Sequence, residues 1–443
     1  MSLLIRGGVV ASCDAEHRVF EGDVAVLGGR IVALGPGAEG ALPPGAPTID
    51  ARGCAVLPGL VQGHIHLVQT LFRGLADDVP LLTWLRRYIW PLEAAHDDLS
   101  LLASAELGLA ELLRGGTTTI LDMGTVHGHD VVLDACQRSG IRALSGKAMM
   151  DQGEGAPAGM LENTRAGLRE AERLARAWPN HPDARVRNAI CPRFVLSCTE
   201  EMLRGCAALA LETGALLHTH AAEQKEERAA VRELLGEDDI VALARCGVTG
   251  KQAVLAHGVQ LTDDEIGSLA RAGTAVVHCP SSNLKLGSGI ARVEAMRRAG
   301  VRVGLGADGA PCNNNLDGFF EMRLAALLSK VSAGTETLPA RDALRLATIE
   351  GARALGLDDQ IGSVEVGKRA DLIVVDLQNI HTAPAMDLMS TLVYACQSRD
   401  VRHVLVDGQP VVRAGELLTL DVGLAAARAR EQAPLVARRA GVR

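Results

Sequence analysis

The feature that most constrains this chain is an eightfold alternation. Between residues 54 and 309, short apolar runs alternate with stretches rich in Ala, Leu, Arg and Glu. The runs are CAVLPGLVQGHIH, TTTILDMG, IRALSGKAMMD, VRNAICPRFV, GALLHTHAAE, AVLAHGV, TAVVHCPSS and VRVGLGADG. The stretches between them include LSLLASAELGLAELLRGG and TEEMLRGCAALALETG, which read as helices. Such alternation builds a parallel sheet, and eight units close it into a (β/α)8 TIM-type barrel. An open doubly wound sheet is the alternative, but no glycine fingerprint follows the first central strand. One further helix is expected over residues 339–357.

The two ends of the chain follow a different grammar. LLIRGGVVAS and DVAVLGGRIVALG near the start, and ADLIVVDL and VRHVLVDGQPVVRAG near the end, are short strands broken by Gly or Asp-Gly turns. Neither end makes a stable sheet alone. The expectation is one small composite β domain built from residues 1–55 and 361–443, the latter ending in a helix (LAAARAREQ), around a barrel of residues 56–360. The fold class is therefore α/β.

Composition narrows the partners. A net charge of -8 argues against nucleic acid or an anionic membrane. No apolar run reaches the ~20 residues of a membrane span, and no charged-then-apolar leader opens the chain. The ten cysteines are scattered without a CxxC pair. They read as small buried hydrophobes of a cytoplasmic chain.

Several histidines stand where chemistry is expected. His64 and His66 close strand one, and residues two apart on a strand face the same way. His220, His257, His278 and Asp308 end strands five to eight. In a barrel these C-terminal ends converge on the face that carries active sites. Imidazoles with a carboxylate suit zinc or iron(II) rather than calcium or magnesium. Such an ion lowers the pKa of a bound water to about 7. Glu223, three residues past His220, is placed to shuttle protons, although it also fits the first turn of a helix. His218 shares the face of His220 one layer deeper and reads as core or as support for a ligand. The short zinc-deaminase signature, the G-x-S-x-G elbow and the phosphate loop are all missing.

Together, PGLVQGHIH, HTHAAE, LAHGV, HCPSSNLKLGSG and LGADGAPCNNNLD resemble the amidohydrolase superfamily. Within it they look like the branch of purine, pterin and s-triazine aminohydrolases and chlorohydrolases, which the tail IGSVEVGKRADLIVVD also fits. The resemblance implies a barrel beside a composite β domain, a homo-oligomer, and one divalent metal, zinc before iron. It implies His64, His66, His220 and Asp308 as ligands and Glu223 as proton shuttle. His257 would bond the activated water or the substrate, and Asp308 would also accept a proton. Relatives with two metals use a carboxylated lysine on strand four. Strand four here has none, and Lys147 lies on strand three, where it reads as a salt bridge.

Substrate residues point two ways. Guanine deaminases carry a glutamine three residues after the second histidine and a Pro-Arg-Phe stretch on strand four. Gln69 and Pro192-Arg193-Phe194 match, so the leading expectation is deamination of guanine or a related oxo-purine or pterin, releasing ammonia. Ala307, however, replaces a threonine of those enzymes. FRGLADD, GAPCNNNLDGFFEMR and the Trp90-Pro91-Leu92-Glu93 segment look closer to deaminases of methylthioadenosine, S-adenosylhomocysteine or deoxyadenosine, where the glutamate contacts ribose. Those enzymes have histidine at Arg193. An s-triazine amino- or chlorohydrolase is a further alternative, and a non-catalytic scaffold of the same fold is a different class, which the full ligand set argues against. Plainer readings compete: Arg193 as an ion pair, Gln69 as a loop cap, Phe194 as core, Glu93 as a solvated helix residue, Asn283 as a loop brace. Seven of the ten aromatics (Phe72, Trp84, Tyr88, Trp90, Phe194, Phe319 and Phe320) fall in or beside these segments, which suits a planar substrate.

Overall fold

The computed structural model describes residues 2–442. Eight parallel strands form the expected barrel: Leu60–Ile65, Thr117–Met123, Arg142–Gly146, Val186–Asn188, Leu217–Ala221, Ala253–His257, Ala275–His278 and Arg302–Leu305. Strand one pairs with strand eight, and the sheet closes between strands four and five. There Ile190 donates its N–H to the Leu216 carbonyl at 2.8 Å and accepts from His218 N–H at 2.9 Å. The strands are buried along almost their whole length, which is why they read as continuous apolar runs rather than alternating ones.

The chain ends meet as expected. Cys54–Pro58 from the N-terminal half pairs antiparallel with Leu372–Asp376 from the C-terminal half, in the middle of a nine-stranded sheet. The run read as barrel strand one, Cys54–His66, is therefore two strands. Cys54–Pro58 belongs to the terminal sheet and Leu60–Ile65 to the barrel. They join at Gly59, where a Cβ would lie 2.1 Å from the Thr118 hydroxyl, so no larger residue fits.

Two helical expectations resolve differently. Asp98–Arg114 forms as read, capped by Asp97, whose carboxylate accepts the Ser100 N–H at 2.9 Å. Residues 339–357, expected as one helix, are two, Ala340–Leu346 and Ile349–Ala354. The break releases the Ala347 carbonyl, which accepts the Val61 N–H of strand one at 2.8 Å. The C-terminal helix Val422–Ala440 lies against Asp98–Arg114, with Arg428 bonded to Glu106 at 2.8 Å. All ten cysteines are unpaired and nine are buried. Among the described residues, no helix is long and apolar enough to cross a membrane.

Candidate active site

The strand ends bring five of the expected side chains to one point, and backbone acceptors set their protonation. His66 Nδ1 lies 2.7 Å from the Met123 carbonyl, and His220 Nδ1 lies 2.7 Å from the Arg193 carbonyl. A carbonyl only accepts, so each Nδ1 carries the proton and each Nε2 is a bare lone pair. His64 reaches the same state through a relay. His218 Nδ1 donates to the Val254 carbonyl at 2.9 Å, leaving His218 Nε2 to accept from His64 Nδ1 at 2.8 Å. His257 Nδ1 donates to Asn283 Oδ1 at 2.9 Å.

The lone pairs converge. His66 Nε2 and His220 Nε2 are 3.2 Å apart, and His64 Nε2 and His66 Nε2 each stand 3.3 Å from Asp308 Oδ1. His64 Nε2 is buried with no hydrogen-bond partner. Lone pairs held this close repel unless a cation lies between them. The donor set of three imidazoles and a carboxylate thus fits one divalent metal of the zinc or iron type. Burial lowers the pKa of all three imidazoles, that of His64 to about 4, which keeps them neutral. Ser282 Oγ donates to Asp308 Oδ2 at 2.6 Å. His257 and Asp308 both adopt left-handed backbone conformations, with φ of 76° and 61°, a strain typical of functional positions.

Glu223 stands beside this cluster, its Oε2 3.4 Å from His257 Nε2 and its Oε1 buried without a partner. Burial, aided by the charge on Asp308, pushes its pKa well above the usual range. Its backbone is pinned: the Glu223 N–H donates to Glu227 Oε2 at 3.0 Å, and the Ala222 N–H donates to Asp239.

A pocket opens over the cluster. Gln69, Arg193 and Phe194 line it, with Leu81, Trp84, Leu85 and Leu286. The separate candidates Arg193, Glu93 and Gln69 form one buried network. Both terminal guanidinium nitrogens of Arg193 bond Glu93, and Gln69 Nε2 donates to Glu93 Oε1 at 2.7 Å. Burial opposes ionised Glu93, but Arg193 holds its carboxyl below the usual range. Glu93 and Trp90 do not themselves line the pocket. Glu93 sits behind Arg193 and Gln69, and Trp90 packs into an apolar cluster with Met150 and Met160. Of the seven aromatics near the site segments, Trp84 and Phe194 reach the pocket wall.

Other readings also resolve. His218 supports His64. Lys147 is bound to both oxygens of Glu162 at 2.7 Å. His278 is buried outside the metal-competent groups. Asn283, read as a loop brace, instead orients His257. Ser282 and Glu227 were not singled out at all. The question that would have found Asn283 and Ser282 is what accepts from His257 Nδ1 and donates to Asp308, since buried polar groups need partners.

Comparison with known proteins agrees with this geometry. The amidohydrolase family profile matches residues 55–411. The chain is 41% identical to the 5-methylthioadenosine/S-adenosylhomocysteine deaminase of Halobacterium salinarum, over 99% of both proteins. Among solved structures it is similar to a zinc-bound adenosine deaminase from Xanthomonas campestris (TM-score 0.92, 36% identity, 98% of each chain covered). It is also similar to E. coli guanine deaminase (TM-score 0.84, 28% identity, 93% of this chain and 99% of that one). The chain belongs to the amidohydrolase family and is a hydrolase acting on carbon–nitrogen bonds.

Proposed function

We propose that this protein deaminates the 6-amino group of an adenine nucleoside, the reading held above as the alternative to guanine. The observation that carries it is the 41% identity, over 99% of both chains, to a methylthioadenosine/S-adenosylhomocysteine deaminase. The site is compatible with it. His64, His66, His220 and Asp308 would hold a single divalent ion, zinc being the ion named with the adenosine deaminase neighbour. When bound, the ion supplies Lewis acidity that makes hydroxide available at neutral pH.

Water adds across the C6–N1 bond of the purine: its oxygen joins C6 and a proton reaches N1. Glu223, whose raised pKa lets it carry a proton at neutral pH, delivers that proton and later protonates the departing amine as ammonia. His257, its Nδ1–H held by Asn283, faces Glu223 and turns its Nε2 lone pair toward the water to accept a hydrogen bond from it. Asp308 takes the remaining proton of the water and gives it up to the departing amine by way of Glu223, so that one water proton ends on N1 and the other on ammonia. Phe194 flanks the ring, and the unpartnered Oε1 of Gln69 accepts from a sugar hydroxyl, with Arg193 and Glu93 behind it.

Guanine remains the second reading because Arg193 and Gln69, not Glu93, face the pocket. An absorbance screen of zinc-loaded enzyme against methylthioadenosine, adenosine, guanine, pterin and an aminotriazine separates the two. Turnover of the nucleosides is expected; turnover of guanine alone would overturn the proposal. Glu223→Gln should retain metal while kcat falls about 10²–10⁴-fold. Unchanged turnover in that variant would remove the shuttle role.

A further inference from the structure

Relatives of this chain are named for two nucleosides that differ only beyond the 5′ sulfur. Methylthioadenosine ends in a methyl group. S-adenosylhomocysteine ends in an amino acid, with a carboxylate and an ammonium. A site that binds the second must give the carboxylate a partner, because an unpaired charge is costly to hold in a desolvated pocket.

The wall of this pocket away from the metal-competent cluster is apolar: Leu81, Trp84, Leu85 and Leu286. Among the described residues that line it, Arg193 is the one permanently cationic side chain, and both its terminal nitrogens are spent on Glu93. Cations on nearby segments are spent too. Arg86 pairs with Glu154, Lys147 with Glu162, and Lys285 with Asp77. Arg87 is solvent-exposed and outside the lining.

Resting on the nucleoside reading above, we infer that this pocket selects adenine nucleosides with a short, uncharged 5′ substituent and rejects those ending in a carboxylate. Trp84, Leu85 and the Glu93–Arg193 pair are the specificity determinants. The apolar side chains take the 5′ group, and the ion pair keeps the guanidinium from reaching for an anionic tail. A site built without a partner for a charged group discriminates against it strongly, since that group stays unpaired on binding.

The test is kcat/KM of the zinc-loaded enzyme on methylthioadenosine and on S-adenosylhomocysteine, with guanine as a third substrate. Methylthioadenosine is expected to lead S-adenosylhomocysteine by at least 30-fold; a smaller ratio overturns the inference. If neither nucleoside reacts and guanine does, the nucleoside reading itself falls and takes the inference with it, a result distinct from a small ratio between two good substrates. Two variants test the cause. Leu85→Arg places a free cation in the wall, and Glu93→Gln releases Arg193 from its pair. Each should narrow the ratio at least fivefold toward S-adenosylhomocysteine, whatever happens to the absolute rate. Dissociation constants of both nucleosides for Glu223→Gln, measured by calorimetry, read the same preference without turnover. A ratio left unmoved in both variants overturns the assignment of these residues.

Discussion

Two clusters of buried charge stand at opposite ends of the barrel, and they are neutralised differently. At the N-terminal end, Arg142 begins strand three and bonds Asp371 at 2.8 and 3.1 Å and Asp407 at 2.6 Å. Arg369 adds a second cation on Asp407 at 2.9 Å. Two arginines thus meet two aspartates, and the cluster staples the barrel to the composite sheet. At the C-terminal end, Asp308 is buried beside the imidazoles of His64 and His66, and burial raises the pKa of Glu223 and Glu227 nearby; among the described residues, no arginine or lysine is bonded to any of the three carboxyls. Where charge serves only stability, the chain supplies both signs. At the proposed active site, the chain groups donors that could hold one divalent cation.

Breaking each end tests that contrast. The largest effect is expected at the staple. Arg142→Met strands the buried carboxylate of Asp371, leaves half-buried Asp407 to Arg369 alone, and should cost about 3–5 kcal/mol in denaturant unfolding, with turnover per folded molecule unchanged. Adding Asp371→Leu should recover part of the loss; no recovery would mean the pairing is not what Arg142 contributes.

The next effect lies near the catalytic face. Glu321 accepts from Ser281 N–H at 3.1 Å and Asn313 Nδ2 at 3.0 Å, yet burial raises its pKa from 4.5 to about 7. The folded state holds this proton more tightly than the unfolded chain. Its stabilising contribution is therefore full below pH 4.5 and is lost as pH rises through about 7. The swing is about 3 kcal/mol. Unfolding curves at both ends of that window, for the wild type and Glu321→Gln, should differ in slope by this amount; parallel curves would contradict it.

The smallest effect concerns ligand orientation. His218→Phe removes the acceptor for His64 Nδ1 and should weaken metal affinity about 10–100-fold in a chelator competition. An unchanged affinity would show that the relay does not set the His64 tautomer.

Much of this was legible from the residues. Strand ends in a parallel barrel must converge, so His64, His66, His220, His257 and Asp308 could be gathered by position alone. The links between side chains could not. Glu93 and Arg193 are 100 residues apart in sequence and come from a helix and a strand extension, so each was read alone, once as a sugar ligand and once as a base ligand. Their pairing is a property of packing. Asn283 looked like a loop residue because nothing in SSN shows that a histidine from the neighbouring strand will donate to it. The joint at Gly59 was hidden for a related reason: an apolar run carries no mark of which sheet will hydrogen-bond each half.

The Nδ1 hydrogen bonds of His64, His66 and His220 also govern how an ion is acquired. Metal uptake at most protein sites expels protons from the ligands, so occupancy follows pH. Here these three imidazoles have already been emptied at Nε2 by burial and by their acceptors. Capture near neutral pH needs no histidine deprotonation, and cofactor loading is insulated from modest swings in acidity.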